Sequence, residues 1–395
     1  MGTDLLPDLE KGGESSALLR ILNQVGARQV LAEQPVDHGL AESLPYPFLA
    51  IVKQIEMRTA LLLAVINPAV GGVLLIGPRG TGKTTCVRSL AGILPEVPVS
   101  LCPEGCLPED YEEKGPEGVC PECAAKLEAG EPIARMEPVR LVELPLNARL
   151  EDVVGGINER IAVQQNRVRL ERGILSRADR NLLYIDEVNL LDDVIVDAIL
   201  DAAAQGSYTV RRGAMAGTYR SRFVLIGSMN PEEGRLRPQI MDRFGLRVVV
   251  RGLVDEEDRM EVYERVRRYR ANPRAFISEW ASATEAAREE IALARNLLKH
   301  VKLSPEARAV GLELVRRLRL DSHRAEYTMF EAARAHAAAD GREMADVKDI
   351  RAVAPLALRQ RQSQFMIDFF ERQAEEDTVI REYIDTLAGE PEGHE

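Results

Sequence analysis

The sequence predicts an α/β fold, a parallel sheet flanked by helices with an all-helical domain behind it. Three observations carry this. The apolar run Val73–Ile76 leads directly into a glycine-rich turn and a helix. A second apolar run, Leu182–Ile185, ends on two carboxylates. From Asp255 onward strand patterns stop and only helical periodicity remains.

The 395 residues suffice for two or three domains with cores of their own. A formal charge of −12 and a pI near 5.2, with no long basic run, argue against nucleic-acid binding. No apolar stretch reaches the roughly 20 residues of a membrane span. The first residues lack a basic start followed by an apolar run, and Leu6 stands where a myristoylation signal needs Ser or Thr. A soluble, cytoplasmic protein is expected.

Residues 1–44 read as an N-terminal extension. One amphipathic helix is expected over 15–33, with Leu18, Leu22 and Val25 on one side and Gly26 weakening it. Either it docks on the body or a partner, or it is a loosely held tail. A compact core is expected over 45–252, opening with Tyr46-Pro-Phe-Leu. A helix over 54–66 stops before Asn67-Pro68 and leads to the first strand.

The turn after that strand reads Gly77-Pro78-Arg79-Gly80-Thr81-Gly82-Lys83-Thr84, which fits the phosphate-loop pattern G-x-x-x-x-G-K-[ST] at every fixed position. Gly77, Gly80 and Gly82 let backbone N–H groups turn inward as an anion nest. The helix after the turn, 83 to about 94 and including Thr85, points its positive end at the same phosphates. Lys83 is placed for the β- and γ-phosphates and Thr84 for Mg²⁺, so ATP is the expected ligand. A plain strand–turn–helix connection is the bland alternative, and it leaves the match at all fixed positions unexplained.

Four of the five cysteines lie in an insert at about 101–135, as Cys102-Pro-Glu-Gly-Cys106 and Cys120-Pro-Glu-Cys123. Pro and Gly inside both pairs favour turns that aim two sulfurs at one point. Four thiolates suit structural zinc before an iron–sulfur cluster; a redox pair and free thiols are the other readings. Cys86, alone on the phosphate-loop helix, reads as ordinary core.

Strands are expected over 139–144, 208–212, 222–227 and 246–250, a helix over 192–204, and a loop or short helix over 173–178. The strand at 182–185 ends in Asp186-Glu187, on the ligand side of a parallel sheet. There Asp186 would hold the Mg²⁺ shell and Glu187 would polarise water as general base. The strand over 222–227 ends in Ser228-Met-Asn230-Pro231, placing an amide near the γ-phosphate. Arg237 and Arg243 are either solvated or reach a neighbouring subunit's nucleotide. Helices are expected at 255–270, 284–301, 304–318, 323–340 and 346–361: a linker over 253–295, then a helical lid over 296–362. Ala-rich 332–339 implies close helix packing. Arg324 opens one lid helix, as surface or closing over the phosphates. An acidic, frayed tail is expected over 363–395.

These residues together carry a family resemblance. The segments GGVLLIGPRGTGKTT, LLYIDEVNLLDD, GSMNPEEGRLRPQIMDRFG, HRAEYTMFEAARAHAAADGR and APLALRQR resemble the AAA+ ATPase subunit of magnesium chelatase, the smallest of its three subunits. The match runs from about residue 46 to 361, and NPEEG-x-LRPQ-x-x-DRFG is its most specific stretch. The resemblance implies an AAA+ P-loop NTPase fold and Walker A residues at Lys83 and Thr84. It also implies a Walker B pair at Asp186 and Glu187, sensor 1 at Asn230, an arginine finger at Arg243 and sensor 2 at Arg324. It further implies an ATP-dependent ring, usually hexameric, a partner subunit with a von Willebrand A domain, and a large porphyrin-binding subunit. Val52-Lys53-Gln54 departs from the family's V-G-Q, and the cysteine insert, extension and tail have no placed counterparts. A MoxR-type or cobalt-chelatase-like ATPase, remodelling another metalloenzyme with a different von Willebrand A protein, is the alternative. A nucleotide-gated scaffold with negligible turnover fits a full set of Walker, sensor and finger residues poorly.

Overall fold

The computed structural model describes residues 44–102, 104–157, 170–212, 215–234, 236–362 and 364–388. The helix expected at 15–33 lies outside them. The compact unit that carries the sheet and the helical region starts at Pro45.

Helix α1 (Ile55–Ile66) is apolar nearly all round, and seven of its residues are buried, as an interior helix requires. It ends at Asn67, whose side chain accepts from the Ala69 N–H at the Pro68 turn. Strand β1 (Val73–Ile76) is buried throughout. Helix α2 (Lys83–Leu90) is shorter than expected, because its last turn tightens into a 3₁₀ turn over Ala91–Ile93. The insert is β2 (Val97–Ser100), α3 (Pro108–Lys114), α4 (Pro121–Glu128) and β3 (Ala134–Glu137), with β2 and β3 paired antiparallel. Proline opens both insert helices at the first turn, where its missing N–H costs nothing.

Next come β4 (Leu141–Leu144), α5 (Leu150–Val154), the paired strands β5 (Gly155–Ile157) and β6 (Leu170–Arg172), α6 (Ile174–Arg177) and β7 (Leu182–Ile185). Asp192 caps α7 (Asp193–Gln205), and Gly206 closes it in the left-handed conformation. A hairpin, β8 (Ser207–Arg212) with β9 (Met215–Arg220), precedes β10 (Val224–Met229), α8 (Pro238–Arg243) and β11 (Leu246–Val249).

Strands β11-β1-β10-β7-β4 form one sheet in that order, every neighbouring pair parallel. Successive residues face opposite sides. Val73, Leu75, Tyr184 and Ile226 pack with α1, α2 and the later helices; Leu74, Ile76, Leu183, Ile185 and Leu225 pack with α6 and α7. Because Ile76 pairs with Met229 and Gly227 with Ile185, the C-terminal ends of β1, β10 and β7 leave the sheet side by side. The core is therefore the expected αβα sandwich, and its three motif-bearing strand ends share one edge.

The helical region comprises α9 (Glu256–Ala271), α10 (Pro273–Leu298), β12 (Lys302–Leu303), α11 (Pro305–Arg317), α12 (Arg324–Ala339), β13 (Met344–Ala345), α13 (Val347–Leu358) and α14 (Gln364–Ala388). Ala332, Ala333, Ala335, Ala337 and Ala338 are all buried, so the Ala-rich stretch does pack closely. Two expectations change. Helix α10 begins at Pro273, with the Asn272 side chain capping it, and runs unbroken through residue 295, where linker was to meet lid. The stretch expected as a frayed tail is helical over Gln364–Ala388, since it holds no Gly or Pro and is rich in helix formers despite its charge.

Buried arginines tie the lid to the core. Arg247 is 1% exposed and donates to the carbonyls of Arg359, Gln360 and Met241; burial pushes its guanidinium down to about 10. Arg361 reaches Asp242 at 2.6 Å and the Gly245 carbonyl at 2.9 Å. Ser322 donates to the same Asp242.

Candidate active site

The phosphate loop is held by close approach and by handedness. A Cβ on Gly77 would stand 2.1 Å from the Val250 carbonyl oxygen, so β11 can lie against it only because the residue is glycine. Gly82 has φ +84 at the start of α2, a conformation that L side chains rarely adopt. The Lys83 ammonium is buried and donates to the carbonyls of Gly77 and Pro78, both at 2.7 Å. Burial lowers its pKa, while Asp186, Glu187 and Glu233 oppose the shift.

Thr84 and Asp186 meet across the cleft at 3.4 Å. Tyr184 donates to Asp186 at 2.8 Å, lies 3.2 Å from the Thr84 hydroxyl, and is held far above the usual phenol range by burial and by that carboxylate. Ser228 also donates to Asp186, and it accepts from the Glu187 N–H at 3.1 Å. Glu187 itself has φ 55, a strained left-handed backbone of the kind that gathers at functional sites. Neither Tyr184 nor Ser228 stood out in the sequence. Tyr184 lies two residues before Asp186 on a strand, hence on the same face, and that spacing was the available signal.

Arg79, Gly80, Thr81, Gly82, Lys83, Thr84, Thr85, Asp186, Glu187 and Asn230 line one cleft of about 240 Å³. A hydroxyl and a carboxylate oxygen facing one another there suit a hard cation such as Mg²⁺. Asn230 is buried, and its amide donates to Glu233 at 3.1 Å. Across the loop, sharing Gly80–Gly82 and Thr85, lies a mostly apolar cavity of about 440 Å³. Val52, Gln54, Met57, Val262 and Val266 are among its walls. Apolar walls with a few polar groups beside a phosphate cradle suit a purine ring.

Arg243 and Arg324 are elsewhere. Both line a different cavity, with Asp201 and Asp242, away from the phosphate loop of their own chain. Arg243 sits 2.9 Å from Asp201 and 3.3 Å from Asp197 on α7, while Arg237 sits 2.8 Å from Asp193. The two arginines left open between solvent and a neighbouring subunit are thus both paired within the chain. Arg324 opens α12 and does not line the phosphate-loop cleft.

Comparison with known proteins decides the family. A Methanocaldococcus jannaschii magnesium-chelatase subunit ChlI homolog is 43% identical over 317 residues, covering 80% of this chain and 85% of the relative. The chain belongs to the magnesium chelatase ChlI family. The description "Magnesium chelatase, subunit ChlI" matches residues 160–239, and "AAA lid domain" matches residues 312–383. The chloroplastic ChlI of Nicotiana tabacum is 42% identical over 80% of this chain and 74% of its own length. A chain in a solved complex between BchI and BchD of magnesium chelatase is 39% identical, over 81% of this chain and 97% of that one, with a TM-score of 0.45. As a ChlI-family protein with an AAA lid, the chain is an AAA+ ATPase, the ATP-hydrolysing component of a chelatase-type enzyme. Among the described residues no helix is long and apolar enough to cross a membrane.

Proposed function

We propose that this chain is the ATPase motor of a magnesium chelatase in chlorophyll and porphyrin biosynthesis. As a cytoplasmic homo-oligomeric ring, hexameric on the family resemblance, it hydrolyses ATP. It passes the resulting movement to a von Willebrand A-domain subunit and to a large porphyrin-binding subunit, which inserts Mg²⁺ into protoporphyrin IX. The observation that carries the reading is the convergence of Lys83, Thr84, Asp186, Glu187 and Asn230 on one cleft beside an apolar cavity.

The contacts in the cleft support the roles of its residues. Lys83, buried and already turned into the loop, exchanges two carbonyl partners for phosphate oxygens. Asp186 is oriented by two hydroxyl donors on one carboxylate oxygen, so its second oxygen faces Thr84. Mg²⁺ arriving with the triphosphate would be held by Thr84 and Asp186 and would neutralise charge on the phosphate oxygens. Glu187 accepts the proton of the attacking water, and Asn230 orients that water. Arg243, supplied to the nucleotide of an adjacent protomer, stabilises charge on the transferred phosphoryl group, and Arg324 acts beside it.

ATP-dependent chelation on mixing with the two partner subunits tests the reading. Loss of chelation on omitting this chain, or on Glu187→Gln, is the expected result. Robust ATP hydrolysis with no effect on porphyrin metallation would favour a MoxR- or cobalt-chelatase-like role instead.

A further inference from the structure

The insert between β2 and β3 has too little apolar core to hold itself. Its buried apolar cluster is Cys106, Val119, Cys123 and Ile133, and two of the four are cysteines; Leu107 and Asp110 are the other buried side chains described in it. Small lobes with so few apolar side chains are usually stapled by disulfides or metal. All five cysteines are free, so disulfides do not supply the staple.

The four sulfurs of Cys102, Cys106, Cys120 and Cys123 all lie within 4.8 Å of one another. Cys102 Sγ is 3.6 Å from Cys120 Sγ and 3.8 Å from Cys106 Sγ. A tetrahedron of Zn–S bonds of about 2.3 Å has edges of roughly 3.8 Å, so these separations already fit one ion. An iron–sulfur cluster shares its thiolates among several irons and needs them farther apart. The local backbone is turned to the same purpose. The Glu104 N–H donates to Cys102 Sγ and the Cys120 N–H to Cys106 Sγ, each at 3.2 Å. Gly105 sits in a left-handed turn inside the first pair, and Pro121 opens α4 inside the second.

We propose that Cys102, Cys106, Cys120 and Cys123 bind one Zn²⁺ in a tetrahedral four-thiolate site that holds the insert closed. All four positions are filled by protein, so the site is structural, with no open coordination for chemistry. It fixes α3, whose Glu109 forks onto Arg180 at 2.9 and 2.7 Å and whose Asp110 pairs with Arg220 at 2.5 Å. Arg180 precedes β7 and Arg220 ends β9, at the end of the sheet opposite the phosphate loop. The zinc lobe therefore braces the sheet from behind and takes no part in holding nucleotide.

Elemental analysis of full-length protein purified without added metal or chelator is the primary test. About one zinc per chain is expected. A content below about half an equivalent, stoichiometric iron, or intramolecular disulfides in fresh protein would each overturn the proposal. Cobalt exchanged for the native metal should give the intense visible bands of tetrahedral thiolate ligation. A spectrum of octahedral or oxygen-ligated cobalt counts against it. Cys102→Ser and Cys123→Ser should each lose the metal and melt at lower temperature while still binding a fluorescent ATP analogue. Full metal retention in either variant would overturn the ligand set.

Discussion

The Arg79 guanidinium stands between two carboxylates, 3.0 Å from Glu187 and 2.6 Å from Glu233. Glu233 also accepts from Asn230, so the proposed base, the proposed sensor amide and a phosphate-loop arginine form one chain across the cleft mouth. Arg79 is exposed, which keeps its worth to folding small; its effect is on where Glu187 points.

Arg79→Ala should therefore leave the melting temperature unchanged while lowering kcat for ATP by about tenfold or more, through loss of orientation. Arg79→Lys should recover only part, because a point charge cannot span both carboxylates as a planar fork does. Parallel melts and ATPase assays check this. A melting loss that tracks the activity loss would make Arg79 a folding residue.

Arg243 must leave Asp197 and Asp201 before it can serve any other nucleotide. Arg243→Ala should keep ATP binding and lose about 10³-fold in turnover if it acts as a finger in trans. Wild-type protein titrated with this variant should then lose activity more steeply than dilution predicts. Activity falling in simple proportion to the wild-type fraction would place its effect within its own chain.

What local pattern encodes was legible in the residues: the phosphate loop, the strand ending in Asp186-Glu187, the parallel core and most helices. Contacts between distant segments were not. Asp242 gathers Ser322, Arg247 and Arg361, and Asn67 holds Glu331 from 264 positions away; no periodicity announces such pairs. Arg243 and Arg324 were recognisable by motif, but their shared cavity depends on how the lid packs. In α14 the acidic composition masks a helix that the lack of Gly and Pro permits. The start of α10 was readable from Asn272-Pro273, a cap followed by proline at the first turn.

Lys53 occupies the position of glycine in the family's V-G-Q and has φ 51, with Gln54 at φ 47. A non-glycine residue there costs about 1–2 kcal/mol. A 3.6 Å ion pair with the half-buried Asp258, made by a Lys53 head that is itself mostly exposed, offsets little of it. Lys53→Gly should be neutral to stabilising, by up to about 1 kcal/mol, and Lys53→Val should destabilise by about as much. Thermal melts that rank valine above glycine would show that the left-handed turn is not under strain.

Asp349 is fully buried in the lid and accepts from Arg342 twice, from the Asp346 N–H at 2.8 Å, and from His336 at 2.7 Å. Burial alone would raise its pKa, but the Arg342 fork and the other donors outweigh burial and lower it. A depressed folded-state pKa contributes stability above the unfolded value, near 3.9, and loses it as pH falls through the folded value. Asp349→Asn removes the charge and leaves the Arg342 guanidinium without its buried counter-ion, at a cost of about 3 kcal/mol near pH 7. The stability gap between wild type and Asp349→Asn, read from urea unfolding, should be present above about pH 5 and narrow progressively as pH falls below about 4. A gap that persists undiminished to about pH 3 would assign the loss to packing, with no share for the ion pair.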